Sequence, residues 1–263
     1  MPMLKILKIS SWVLVIVVLV VVLGFVKKAH EEKGFSGVEV EIKQQDNNKF
    51  LKEHQLKKLL EGQSDTVVKK MSDFDVLELE KTLNELAYVK NAQVFKTIDG
   101  KIKAKLLERK PIARIFSGAN SYYMDEDGSI MPPSSHYTSR VVVVSGAIVE
   151  PYAKRYMRNY RELKDSLRGE TILDDIYKLT KYIDTQPFWR AQIEQVVVNK
   201  QLEFELIPKV GNHIIVLGDV DGYASKFNKL RMFYEKGLSK TGWNEYSRIN
   251  LKYKNQVVCT KRY

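Results

Sequence analysis

Four adjacent positions hold the densest cluster of reactive side chains in the chain: Asp125, Glu126, Asp127 and Gly128, within YYMDEDGSI from Tyr122 to Ile130. Three acids beside a glycine admit a calcium loop, an acidic catalytic site or a turn. A calcium loop of the EF-hand type runs D-x-[DN]-x-[DN]-G and ends on an acid six residues beyond its glycine. With Gly128 as that glycine, Asp125 and Asp127 fit, but the first ligand would be Tyr123 and the last Ser134. Carboxylate pairs that cleave glycosidic bonds stand apart on rigid elements and face one another. Three sequence neighbours do not. Asp and Gly favour turns because both tolerate left-handed backbone and Asp bonds its own amides. The expectation is a hairpin tip.

Other reactive types are sparse. Cys259 is the only cysteine, which excludes an internal disulfide and a thiolate metal cluster. A lone thiol near a strand end usually fills space as a small apolar group. His30, His54, His136 and His213 are far apart and share no ligand spacing. No GxSxG, SxxK or HExxH occurs, so a cell-wall hydrolase lacks a recognisable nucleophile or metal motif. The expectation is no cofactor, no metal and no catalysis. The chain of 263 residues carries net charge +11 and pI near 9.4, which suits anionic partners such as nucleic acid or lipid head groups. Its lysines are scattered, without runs or an aromatic ladder, and read as a solvated surface. Neither nucleic acid nor a small-molecule substrate is expected.

These residues need elements to position them. Ile9–Val26, ISSWVLVIVVLVVVLGFV, contains no charge over 18 residues. As a helix it would span roughly 27 Å, enough for a hydrocarbon core. No small-x-small cleavage site follows, so an uncleaved signal anchor is expected, with a short tail at residues 1–8 and a linker at 27–34. Lysines flank both ends, so the positive-inside count is nearly balanced. With so short a tail, the bulk is expected in the periplasm, where nucleic acid and ATP are absent.

Beyond the linker, Phe35–Ile42 alternates as a half-buried strand. Phe50–Leu60 reads as a helix. Asp75, with Glu78 three residues on, opens a second helix bearing Val76, Leu79, Leu83 and Leu86 on one face. Asp99-Gly100 joins two strands, the second alternating Ile102, Ala104 and Leu106 with Lys101, Lys103 and Lys105. Residues 35–110 thus read β-α-α-β-β. Residues 111–263 read as a mixed α+β domain on an antiparallel sheet: short strands, then helical stretches at Tyr152–Leu167 and Ile172–Thr185, three strands, a helix containing Phe227, Leu230 and Tyr234, and two closing strands around Lys254-Asn255.

The anchor, the β-α-α-β-β unit, ERKPIAR, YYMDEDGSIMP, VVVVSG, IIVLGD…KFNKLRMF and RINLKYKNQVV, in that order, resemble the FtsQ/DivIB cell-division family. Asn250 stands where that family usually has Asp, the Tyr152–Thr185 stretch is longer than its norm, and many members have a longer cytoplasmic tail. The resemblance implies a transport-associated (POTRA) domain followed by the family's β domain. It implies a single-pass, non-enzymatic divisome scaffold of the cytoplasmic membrane at the septum. The implied partners are FtsB and FtsL type proteins, extending to FtsK, FtsW and FtsI types, and the implied consequence is control of septal peptidoglycan synthesis. The alternative is a POTRA-type chaperone or adaptor in envelope protein transport.

The final strand, near Gln256–Arg262, has no later strand to cover it. An uncovered edge offers unpaired N–H and C=O groups to which a partner segment can add as a further strand. Val257, Cys259 and Lys261 share one face; Gln256, Val258 and Thr260 share the other. With Tyr253 they form the expected partner-binding set. Lys254, Lys261 and Arg262 could equally guard that edge against aggregation.

Overall fold

The computed structural model describes residues 12–25, 34–62, 70–149 and 171–262. The expected helix at Tyr152–Leu167 lies outside these residues, as do the 1–8 tail and nearly all of the 27–34 linker. The chain divides into two compact units, Met1–Glu108 and Arg109–Tyr263.

In the first unit, residues 12–25 form a helix (α1) with its apolar side chains exposed from Trp12 to Phe25. The ends of the expected Ile9–Val26 span, residues 9–11 and 26, lie outside the described residues. Among those described, no helix is long and apolar enough to cross a membrane.

The β-α-α-β-β order follows as β1 (Gly37–Lys43), α2 (Glu53–Gly62), α3 (Val76–Asn84), β2 (Val89–Lys96) and β3 (Lys101–Glu108). The sheet order is β1-β3-β2, with β1 parallel and β2 antiparallel to β3. The two-residue period of β3 sends Ile102, Ala104 and Leu106 into a core shared with Leu56, Leu60, Leu79 and Leu83 of the two helices. Asp75 caps α3, its Oδ1 accepting from the amides of Leu77 and Glu78. The lysine face of β3 is not a free stripe. Parallel register sets Glu39 beside Lys103 and Glu41 beside Lys105, and Lys103 Nζ sits 2.5 Å from Glu39 and 3.6 Å from Glu41. At the end of β3, buried Glu108 reaches back to accept from the amides of Phe50 and Leu51, fixing the approach to α2.

The second unit holds β4 (Pro111–Ser117), β5 (Asn120–Asp125), β6 (Ile130–Met131), β7 (Val142–Gly146), α4 (Ile172–Thr185), α5 (Pro187–Gln192), β8 (Ile193–Val198), β9 (Phe204–Pro208), β10 (Ile214–Gly218), α6 (Tyr223–Phe233), β11 (Tyr246–Asn250) and β12 (Val258–Lys261). They build one nine-stranded sheet in the order β12-β11-β10-β9-β8-β7-β4-β5-β6.

The expected antiparallel sheet is corrected here: the sheet is mixed. The pairs β4–β7, β7–β8 and β10–β11 are parallel and the rest antiparallel. Parallel neighbours need a crossover rather than a hairpin. The helical stretches in the sequence are those crossovers: α4 and α5 lie between β7 and β8, and α6 lies between β10 and β11. Gly146, at φ +112°, marks a close approach between β7 and β8, since a Cβ there would fall 2.0 Å from the carbonyl oxygen of Val198. Rings join the crossover helices: Tyr182 of α4 and Trp189 of α5 both pack on Phe227 of α6, with centroids 5.0 and 4.9 Å apart. These edge and tilted contacts add to the apolar burial beneath the sheet.

Candidate functional site

The acidic cluster resolves into a structural turn. Asp125 ends β5, and its side chain is buried. Oδ1 accepts from the amides of Asp127 and Ser129, while Oδ2 takes Arg109 at 2.7 Å. Burial pushes the Asp125 carboxyl up, and the Arg109 guanidinium pulls against it. Gly128 takes φ +84°, the left-handed conformation that the turn demands. The Glu126 carbonyl accepts from Tyr177 Oη at 2.9 Å and Lys181 Nζ at 2.8 Å, pinning the tip to α4. The Asp125 oxygens therefore serve amides and an arginine. Among the described residues, no three His, Cys, Asp or Glu side chains gather as metal ligands.

Among the described residues the histidines are divided between core and surface; His30 lies outside them. His213 is buried, its Nε2 sharing a 2.9 Å hydrogen bond with Tyr234 Oη. Burial lowers the pKa of this imidazole, with the nearby charge of Arg262 adding to the effect. Burial likewise pushes the Tyr234 hydroxyl far up. His136 Nδ1 lies 2.9 Å from Ser134 Oγ on a surface loop, two residues away in the chain. This is a local contact, and the same hydroxyl accepts from the His136 amide at 3.3 Å. His54 is exposed on α2.

At one margin of the large sheet lies β12, with β11 as its only strand neighbour among the described residues. Antiparallel pairing sets Asn250 against Val258, Ile249 against Cys259 and Arg248 against Thr260. Val257 and Cys259 pack on the core, and burial raises the Cys259 thiol, which suits filler rather than a nucleophile. Val258 is 44% exposed, and Gln256, Thr260 and Lys261 are exposed too. Val258, Cys259, Thr260 and Lys261 belong to β12; Gln256 and Val257 lead into it. Tyr253 stands apart at the preceding turn and is 49% exposed. The Lys254-Asn255 turn forms as expected, with Asn255 in the left-handed region at φ 58°.

Several supports for this ribbon come from distant sequence. Lys229 of α6 donates to the carbonyls of Leu251 (2.9 Å) and Tyr253 (2.6 Å). Lys252 pairs with Glu203, and Arg248 with Glu205, both across to β9 and its approach. Arg262 donates through its guanidinium to the Asn212 carbonyl, and its amide bonds the Glu245 carbonyl. Asn250 Oδ1 accepts from the Lys252 amide at 3.0 Å, so the neutral amide makes the bond a carboxylate would make there. Apart from the local Asn250–Lys252 bond, these contacts join residues 17 to 50 positions apart, and such separations leave no local pattern in the sequence.

Comparison with known proteins accords with this architecture. No curated protein matches the chain. A POTRA-like domain family matches residues 36–107, and the FtsQ/DivIB, C-terminal related family matches residues 110–260. Both are non-catalytic scaffold families, and the latter carries a role in cell division through protein–protein interaction. A match across more than half the chain, joined to a POTRA-like unit ahead of it, means that this chain belongs to the FtsQ/DivIB family.

Proposed function

We propose that this protein is a single-pass scaffold of the bacterial divisome, and that its C-terminal unit receives a strand of an FtsB–FtsL type pair at β12. The observation that carries this reading is the position of β12 at the margin of a nine-stranded sheet, with Val258 and Thr260 turned to solvent. An edge strand binds through main-chain hydrogen bonds, and its alternate side chains select the partner. The inward Val257 and Cys259 hold the strand to its own core while the outward set meets the partner. The fixed supports at Lys229 and Arg262 keep the ribbon ordered before binding, which lowers the entropy lost on docking.

In this reading the apolar helix at 12–25 is the core of a membrane anchor that tethers both units in the periplasm at the septum. FtsK, FtsW and FtsI type proteins are further partners, and docking at β12 feeds into control of septal peptidoglycan synthesis. The experiment is capture of a co-expressed FtsB–FtsL type pair by the full chain and by its Cys259→Pro variant, since pairing of Val258 with Asn250 turns the Val258 amide to β11 and the Cys259 amide outward. An edge strand tolerates proline, which removes one backbone donor and obstructs an incoming strand. The variant is expected to keep its thermal midpoint and lose capture by roughly tenfold or more, the loss of about one or two backbone hydrogen bonds at the edge. Capture at parental affinity by a folded variant refutes docking at β12.

A further inference from the structure

The small sheet also has an exposed margin, and it is closed. In the order β1-β3-β2, the eight-residue strand β2 lies at the edge. Strands of that length with free outward amides pair readily with other strands. Here the side chains of α3 occupy them. The Ala92 amide donates to Asn84 Oδ1 at 2.9 Å, and the Val94 amide donates to Glu80 Oε2 at 3.0 Å. Asn84 Nδ2 bonds the Glu80 carbonyl at 2.9 Å and reaches the Ala92 carbonyl at 3.4 Å. Residues 92 and 94 share one face of the strand with buried side chains, so α3 covers both that face and the margin beside it. Glu80 and Asn84 are spaced i, i+4, one turn apart on one side of the helix. That rise of about 6 Å matches the two-residue repeat of outward amides along a strand, about 6.8 Å.

We propose that Glu80 and Asn84 form a clasp that shuts the β2 edge of the POTRA unit against pairing with a second copy of this chain. The inference is independent of docking at β12. Strand addition at β2 would require both side chains to leave their amides, so the clasp sets a threshold for edge-to-edge association. An edge strand pairs antiparallel with its own copy without further adaptation, which makes the second copy the default occupant once the clasp is lost.

Amide hydrogen exchange on the full chain in detergent micelles tests this residue by residue. Asn84→Ala is expected to speed exchange at Ala92 by roughly tenfold, the loss of one hydrogen bond of about 1.4 kcal/mol, and to leave Val94 slow. Glu80→Ala is expected to do the reverse, and Glu80→Gln, which keeps an acceptor, to restore most of the protection at Val94. The double variant E80A/N84A is expected to self-associate with rising concentration in sedimentation, while the parent does not. Unchanged exchange at both amides in the single variants overturns the clasp. So does a double variant with fast exchange that stays at the parental association state. Uniform acceleration across β1, β2 and β3 would mean that the residues only support the fold, and that result also overturns it.

Discussion

At the residue scale, the acidic turn at Asp125 and the buried His213 serve structure. Asp125 is the clearest case, since both of its oxygens are engaged and its charge is balanced by Arg109. Removing one partner of a buried pair leaves an uncompensated charge and typically costs about 3–5 kcal/mol. Arg109→Met is therefore expected to destabilise the second unit by about 3 kcal/mol. Asp125→Asn in that background removes the stranded charge yet keeps an oxygen for the Asp127 and Ser129 amides, so the double variant R109M/D125N should recover more than half of that loss in urea denaturation. Equal stability of single and double variants would argue against the pair. His213 predicts a pH dependence. Its folded pKa is lowered by burial, so it binds its proton less readily in the folded chain than in the unfolded one. Its contribution is fully present above the unfolded value of about 6.5 and is lost as pH falls through the window below it. His213→Gln is expected to flatten the fall of the thermal midpoint in that window, measured by scanning at several pH values.

At the scale of elements, the ribbon β11–β12 depends on α6. Lys229 ties the helix to the carbonyls at the ribbon's turn, a contact between residues more than 20 positions apart. Lys229→Met keeps the apolar stem and removes three donors. The expected result is faster amide exchange from Leu251 to Val257 and a severalfold weaker capture of the partner pair, with α4 and β8 unchanged; exchange confined to the parental pattern would deny Lys229 this positioning role. Local elements were largely legible in the sequence. The Ile172–Thr185 helix, the Asp99-Gly100 hairpin and the alternation of β3 all rest on periodicity and turn chemistry carried by neighbouring residues. The parallel pairings were not legible, because register between β10 and β11 is set by a crossover and not by any adjacent residues. For the same reason the alternating Lys101, Lys103 and Lys105 read as a solvated face, although Glu39 and Glu41, 64 positions away in sequence, stand opposite Lys103 and Lys105.

At the scale of the whole molecule, two sheets end in two kinds of margin. The POTRA margin at β2 is occupied by side chains of its own helix, and the margin at β12 is held from one side by β11. The strand at Val258–Lys261 was legible as a strand because β-branched and apolar residues follow the Lys254-Asn255 turn; the separation of Tyr253 from it, and the posts that hold the ribbon, emerge only from the fold. A basic total charge then bears on partner choice and solubility rather than on catalysis.

The most direct measurement is amide hydrogen exchange of the full chain in detergent, with and without a saturating FtsB–FtsL type pair. The account predicts that the outward amides of β12 become strongly protected on binding, while β2 keeps its unbound rates. Protection that appears elsewhere and leaves Val258 through Lys261 unchanged would contradict it.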